Sequence, residues 1–81
     1  MAVEADKVVS EIQKVVSEDP TIREANRLLV NVEKRGLFGL KGEVVALAGS
    51  VHSQSDKLKM EKIASLHSGG RKIDSQIQVV G

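Results

Sequence analysis

Apolar residues along the chain recur first at helical and then at strand spacing. Val8, Ile12 and Val15 stand at i, i+4 and i+7, with Val9 and Val16 widening the stripe, which is the spacing of an amphipathic helix. A helix is predicted near 5–18. Glu4 and Asp6 lie near its start, where acidic groups suit the helix dipole. Asp19-Pro20 closes it, because proline disfavours helical geometry in the residue before it. Thr21 to Asn26 reads as a connection with Ile22 turned inward. Leu28, Val30 and Val32 then alternate with Leu29, Asn31 and Glu33, the period of a half-buried strand. Lys34 to Gly42 interrupts the alternation with glycines at 36, 39 and 42, and a second strand runs from Glu43 to Val51. The strands are expected near 27–34 and 43–51, paired as a hairpin. The second is apolar or small on both faces, so it belongs mid-sheet.

Ser53 and Asp56 begin a second helix in the manner of a capping box. Met60, Ile63, Ala64 and His67 continue it at i, i+3, i+4 and i+7, which predicts a helix near 54–68. Gly69 and Gly70 close it, glycine being the residue that takes a left-handed conformation at least cost. Ile73, Ile77 and Val79 mark a last strand near 72–80. The second strand, second helix and third strand form a crossover unit, so those strands should run parallel. The expected fold is α+β: a single α-β-β-α-β domain over residues 1–81, with two helices on one face of a three-stranded mixed sheet. Val45, Leu47 and Ile63 should be among its most buried residues. Gly49 is expected to be structural, at a point where a helix side chain crosses the central strand.

Composition narrows the functional classes. The 81 residues contain no cysteine, tryptophan or tyrosine, and one phenylalanine, so the core must be aliphatic and has no disulfide. Twelve basic residues against eleven acidic ones leave a net charge of +1, without the basic excess that attraction to nucleic acid requires. Gly36-Leu37-Phe38-Gly39 matches the G-x-x-G of a KH domain, but there the loop joins two helices and here it joins two strands. No nucleic-acid partner is expected. No apolar run approaches the ~20 residues of a membrane span, and no signal-peptide pattern is present. The compartment is open: cytoplasmic if the chain is complete as written, periplasm or envelope if it is a mature or excised domain. His52 and His67 are the only histidines. No nucleophile elbow accompanies them, and His52 with Asp56 makes two potential ligands, too few for a metal site. No catalytic residue, metal or cofactor is expected, and the chain is not read as an enzyme.

From Val45 onward the pattern Val45-x-Leu47-x-Gly49-x-Val51, then Ser53, Ile63-Ala64, Gly70, Ile73 and Ile77-x-Val79, resembles the BON domain. With the first helix, Asp19-Pro20 and Leu28 to Val32, the resemblance covers roughly residues 6–80. The chain departs from the family pattern at Met60, where a small residue is usual, and at Arg71, where an apolar one is. Its hairpin is also extended by Gly-Leu-Phe-Gly-Leu-Lys-Gly. The resemblance implies binding, to phospholipid membranes of bacterial envelopes and in some members to other ligands or partner domains.

Two surfaces are candidates. Leu37, Phe38 and Leu40 are apolar residues near the hairpin tip, flanked by Lys34, Arg35 and Lys41. Apolar groups ringed by cations suit an anionic lipid surface. The competing reading has Phe38 folding back to plug a core that lacks any other aromatic. The second surface is the sheet face opposite the helices, where Leu29, Val44, Ala46, Ala48 and Val80 should lie, with Asn31, Asp74, Gln76 and Gln78 around them. Small residues make such a face flat, fit for an envelope protein or a second copy of the chain. The expected partners are therefore anionic phospholipid, an envelope protein, or a homo-oligomer formed through that face.

Overall fold

The computed structural model describes residues 4–37 and 40–80, and at 35–37 and 40–41 the backbone alone. Its elements are α1 (Ala5–Glu18), a single 3-10 turn (Ala25–Arg27), β1 (Leu29–Leu37), β2 (Leu40–Val51), α2 (Gln54–Leu66) and β3 (Lys72–Val79). The sheet order is β1-β2-β3. β1 and β2 are antiparallel and β2 and β3 parallel, so the α+β class and the central place of β2 are as the residue pattern predicts. α1 packs on β1 and on α2, and α2 packs on β2 and β3, so one face of the sheet is covered.

The core is aliphatic. Val8, Ile12 and Val16 of α1 and Met60 and Ala64 of α2 close over Val45, Leu47 and Val51 of β2, with Ile22, Leu28 and Ile77 at its margins. In α1 the stripe is centred one residue later than expected, on Val16, leaving Val15 half-buried. In α2 the centre falls on Met60 and Ala64. Ile63, expected among the most buried residues, is only half-buried and packs on the cluster's flank. Met60 and Ala64 point straight at the sheet, and Ile63 stands a sixth of a helical turn away from Met60.

Side chains of polar residues set the helix boundaries. The Asp19 carboxylate accepts the Thr21 N–H at 2.8 Å and the Thr21 hydroxyl at 2.6 Å, a local turn that competes with the helix. At α2 the Ser53 Oγ accepts the Asp56 N–H at 3.4 Å, the first half of a capping box. The second half is replaced. The buried Asp56 carboxylate accepts the Arg23 N–H at 3.2 Å, which ties the α1–β1 connection to the start of α2. α2 ends at Leu66, with the His67 N–H shared between the Ile63 and Ala64 carbonyls. Gly69 and Gly70 follow at φ 67° and 84°, so they shape the turn beyond the cap rather than the cap itself.

Two further expectations are corrected. The segment 34–42 is not a break between strands: β1 continues to Leu37 and β2 resumes at Leu40. Glycines weaken a strand, but the ladder is made by backbone groups, which glycine keeps. Gly49 is structural for a different reason from a crossing helix side chain. It has φ +130°, and a Cβ there would collide with the carbonyl oxygen of Arg27. What crosses the central strand is the backbone of the 3-10 turn, just before β1 begins opposite Ala48.

Candidate interaction site

The hairpin extends well past the rest of the sheet. β3 pairs with β2 only from Val44 to Val51. The pairs Lys34↔Glu43, Arg35↔Gly42, Gly36↔Lys41 and Leu37↔Leu40 therefore have no third strand beside them. Four pairs at ~3.3 Å per residue make an overhang of about 13 Å. This two-stranded ribbon carries five of the six residues singled out at the hairpin: Lys34, Arg35, Leu37, Leu40 and Lys41. Phe38 lies outside the described residues, as do the side chains of Arg35, Leu37, Leu40 and Lys41. Lys34 is exposed at the ribbon's base.

The base is held by an ion pair that sequence reasoning missed. The Arg71 guanidinium donates to one Glu43 carboxylate oxygen from Nε at 3.1 Å and from Nη2 at 2.9 Å. Its Nη1 donates to the Ser68 carbonyl at 3.2 Å. The Arg71 side chain is 9% exposed and that of Glu43 34%. The pair therefore lies where water screens it weakly, and it joins the first ribbon pair to the turn between α2 and β3. Its only signals in the sequence are a basic residue where the resembled family has an apolar one, and an acid at the base of a basic loop. Neither names the other across 28 residues.

The open face is ordered by register. Leu29–Ala48–Gln76, Asn31–Ala46–Asp74 and Glu33–Val44–Lys72 form three rows across β1, β2 and β3. Leu29 is 64% exposed, and Val44, Ala46 and Ala48 are half-buried by their neighbours. Leu29, Val44, Ala46 and Ala48, expected on this face, are thus brought together. Val80 lies just past β3 and is exposed, its N–H donating to the Val51 carbonyl. Gly70 lines neither surface and has open space where a Cβ would be.

Both histidines bind glutamates. The His52 backbone N–H and ring Nδ1 both reach Glu24 Oε1, at 3.2 and 2.9 Å, and Arg27 Nε lies 3.3 Å from Glu24 Oε2. The hydrogen bond from the His52 ring holds the Glu24 carboxyl below its usual range, and that from the Thr21 hydroxyl does the same for Asp19. His67 Nδ1 lies 3.4 Å from Glu11, bridging α2 to α1. Among the described residues no three His, Cys, Asp or Glu side chains come together as metal ligands. No described helix is long and apolar enough to cross a membrane. The described concave surfaces are open grooves along α1, one of them lined by Ser10, Gln13, Lys14, Ser17 and Arg23 over Ile22 and Leu28. No protein-family model matches the chain, and no curated protein matches it.

Proposed function

We propose that the chain is a non-enzymatic, BON-like binding module that associates with anionic phospholipid or another cell-envelope component through the 34–42 ribbon. The observation that carries this reading is the overhang. Four strand pairs run on past the start of β3, the outermost of them is Leu37↔Leu40, and Phe38-Gly39 joins these two residues in the sequence. Backbone pairing extends this part of the chain away from the helical layer, which favours exposure of the tip over a plug in the core. At a bilayer the apolar groups enter the acyl boundary while Lys34, Arg35 and Lys41 meet headgroup phosphates, each cation contributing about 1 kcal/mol. Glu43 does not oppose this attraction fully, because its carboxylate is held by Arg71.

Co-sedimentation with vesicles of phosphatidylcholine alone, and of phosphatidylcholine with phosphatidylglycerol, tests the proposal. The protein should pellet with the anionic vesicles and less so as salt rises. Phe38→Ser should weaken binding with the melting temperature nearly unchanged, and Lys34→Glu with Lys41→Glu should weaken it independently. A Phe38→Ser protein that loses ~3 kcal/mol of stability would show a core plug instead. No pelleting with either vesicle would favour the second reading, a protein-interaction module without lipid contact. The flat open face, with Leu29 exposed over Ala48, is what supports that reading.

A further inference from the structure

We infer that the outer edge of β3 is an interface for a second copy of this chain, paired antiparallel about a dyad at Gln76. Among the described residues no strand lies against either outer edge of the sheet. The two edges differ. β1 carries Glu33, Lys34 and Arg35 in succession and then Gly36, the charges that keep an edge from pairing. β3 reads Lys-Ile-Asp-Ser-Gln-Ile-Gln-Val, with no proline or glycine and with both of its charges in the first three positions. Its register against β2 is unbroken for eight residues, so no bulge turns the edge away.

Backbone direction selects the register. The Val80 N–H donates to the Val51 carbonyl at 2.8 Å, so Val80 faces β2. Because peptide groups alternate sides along a strand, those of Ile73, Ser75, Ile77 and Val79 face outward. Antiparallel pairing about Gln76 sets Ile73 against Val79 of the second copy and Ser75 against Ile77. All four outward residues are then matched, and the helices of both copies stay on one side of a six-stranded sheet. On the open face the same register sets Gln76 against its own copy and Asp74 against Gln78. An amide both donates and accepts, and a carboxylate accepts from an amide, so each facing pair is complementary and no like charges meet. The half-exposed Val79, at 39%, would be covered by Ile73 of the second copy.

Sedimentation velocity from micromolar to millimolar concentration reads the assembly. The expected result is a rise from the 8.7 kDa monomer to twice that mass. With it, the Ile73, Ser75, Ile77 and Val79 amides should become protected from hydrogen exchange as concentration rises. Gln76 is exposed, so Gln76→Lys and Gln76→Glu leave the core intact. Each should weaken self-association about tenfold or more by setting like charges across the dyad, and mixing the two variants should restore dimers. A protein that stays monomeric overturns the inference. So does a dimer indifferent to both substitutions. Protection of the four amides in a monomer does so as well, since a segment of the same chain would then fill the edge. None of these outcomes depends on vesicle binding.

Discussion

Replacing Gly49 with alanine adds one methyl group, at a position where two costs coincide. At φ +130° an L-residue is held in a sparsely populated backbone region, costing on the order of 1–3 kcal/mol. The new Cβ also meets the Arg27 carbonyl oxygen, with the carbonyl carbon 3.3 Å away. Backbone cannot swing aside as a flexible side chain can, so overpacking adds about 1–3 kcal/mol. Alanine recovers ~0.4–1 kcal/mol by restricting the unfolded chain. Together these give a loss of roughly 1–5 kcal/mol, about 3 kcal/mol at the middle of the ranges.

Gly70 is the internal control. It too has positive φ, +84°, but nothing lies within 4 Å of the place a Cβ would occupy. Gly70→Ala keeps the conformational cost and lacks the collision, so it should lose only about 1 kcal/mol. An 81-residue domain unfolds with an entropy near 0.17 kcal/mol/K, so each kcal/mol moves the midpoint by about 6 °C. Thermal unfolding followed by circular dichroism should therefore show a fall of about 18 °C for Gly49→Ala and near 6 °C for Gly70→Ala. Equal falls would refute the collision with Arg27 and leave backbone conformation as the whole explanation.

Three other outcomes can be measured on the same instruments. Glu43→Gln should destabilise by about 1–3 kcal/mol, because it removes the carboxylate charge that two Arg71 N–H groups donate to, while Arg71→Met with Glu43→Leu should come closer to neutral; urea titration of the single and double variants would detect the coupling. Glu24 and Asp19 have carboxyls held below their usual range, so the stability they contribute is present above the unfolded carboxylate pKa and is lost as pH falls through the folded values; Glu24→Gln should flatten that acid limb, and an unchanged limb would remove the His52–Glu24 hydrogen bond from its causes. Met60→Ala should cost roughly 2–5 kcal/mol by opening a cavity beneath α2, and Ile63→Ala clearly less; the reverse order would put the core centre back at Ile63.

The element order is legible in the sequence because the period of apolar positions changes from near 3.6 to 2 and back at residues that also carry stop signals. Asp19-Pro20, Ser53 and Gly69-Gly70 all mark boundaries. Glycine has no side chain to carry a period, and so the strand pairs from Lys34 to Gly42 are invisible there: they are made by backbone groups alone. The burial of Ile63 against Met60 is ambiguous for a related reason, since both lie on the same broad stripe and only the tilt of α2 on the sheet separates them. The sequence pattern marks Gly49 as structural, but the group it admits, the Arg27 carbonyl, arrives from 22 positions earlier in the chain. Arg71 and Glu43 are likewise distant partners. Of the candidate site, the apolar-basic composition of 34–42 is legible and its projection is not. The small residues of the open face are legible outright, because alternation along β2 assigns them to one side.

The ribbon and the β3 edge constrain one another. A two-stranded ribbon alone is marginal in water, so the direction of this one depends on its base. There Glu43 is fixed to Arg71 and Arg71 to the Ser68 carbonyl, which couples the ribbon to the turn leading into β3. In a dimer paired through β3 the two sheets run in opposite directions, and the two ribbons project from opposite ends. End-on insertion into a bilayer then engages one ribbon per dimer, and dimerisation leaves vesicle affinity unchanged. Lying flat, the dimer presents both ribbons to one surface, and the second contact becomes intramolecular, raising apparent affinity well above that of a single module. Gln76→Lys separates the two geometries, because it acts on the dyad and leaves the ribbon untouched. Affinity for anionic vesicles that falls with Gln76→Lys and returns on mixing with Gln76→Glu would identify the flat arrangement. Affinity that ignores both substitutions in a protein that still dimerises when unmutated would identify the end-on one.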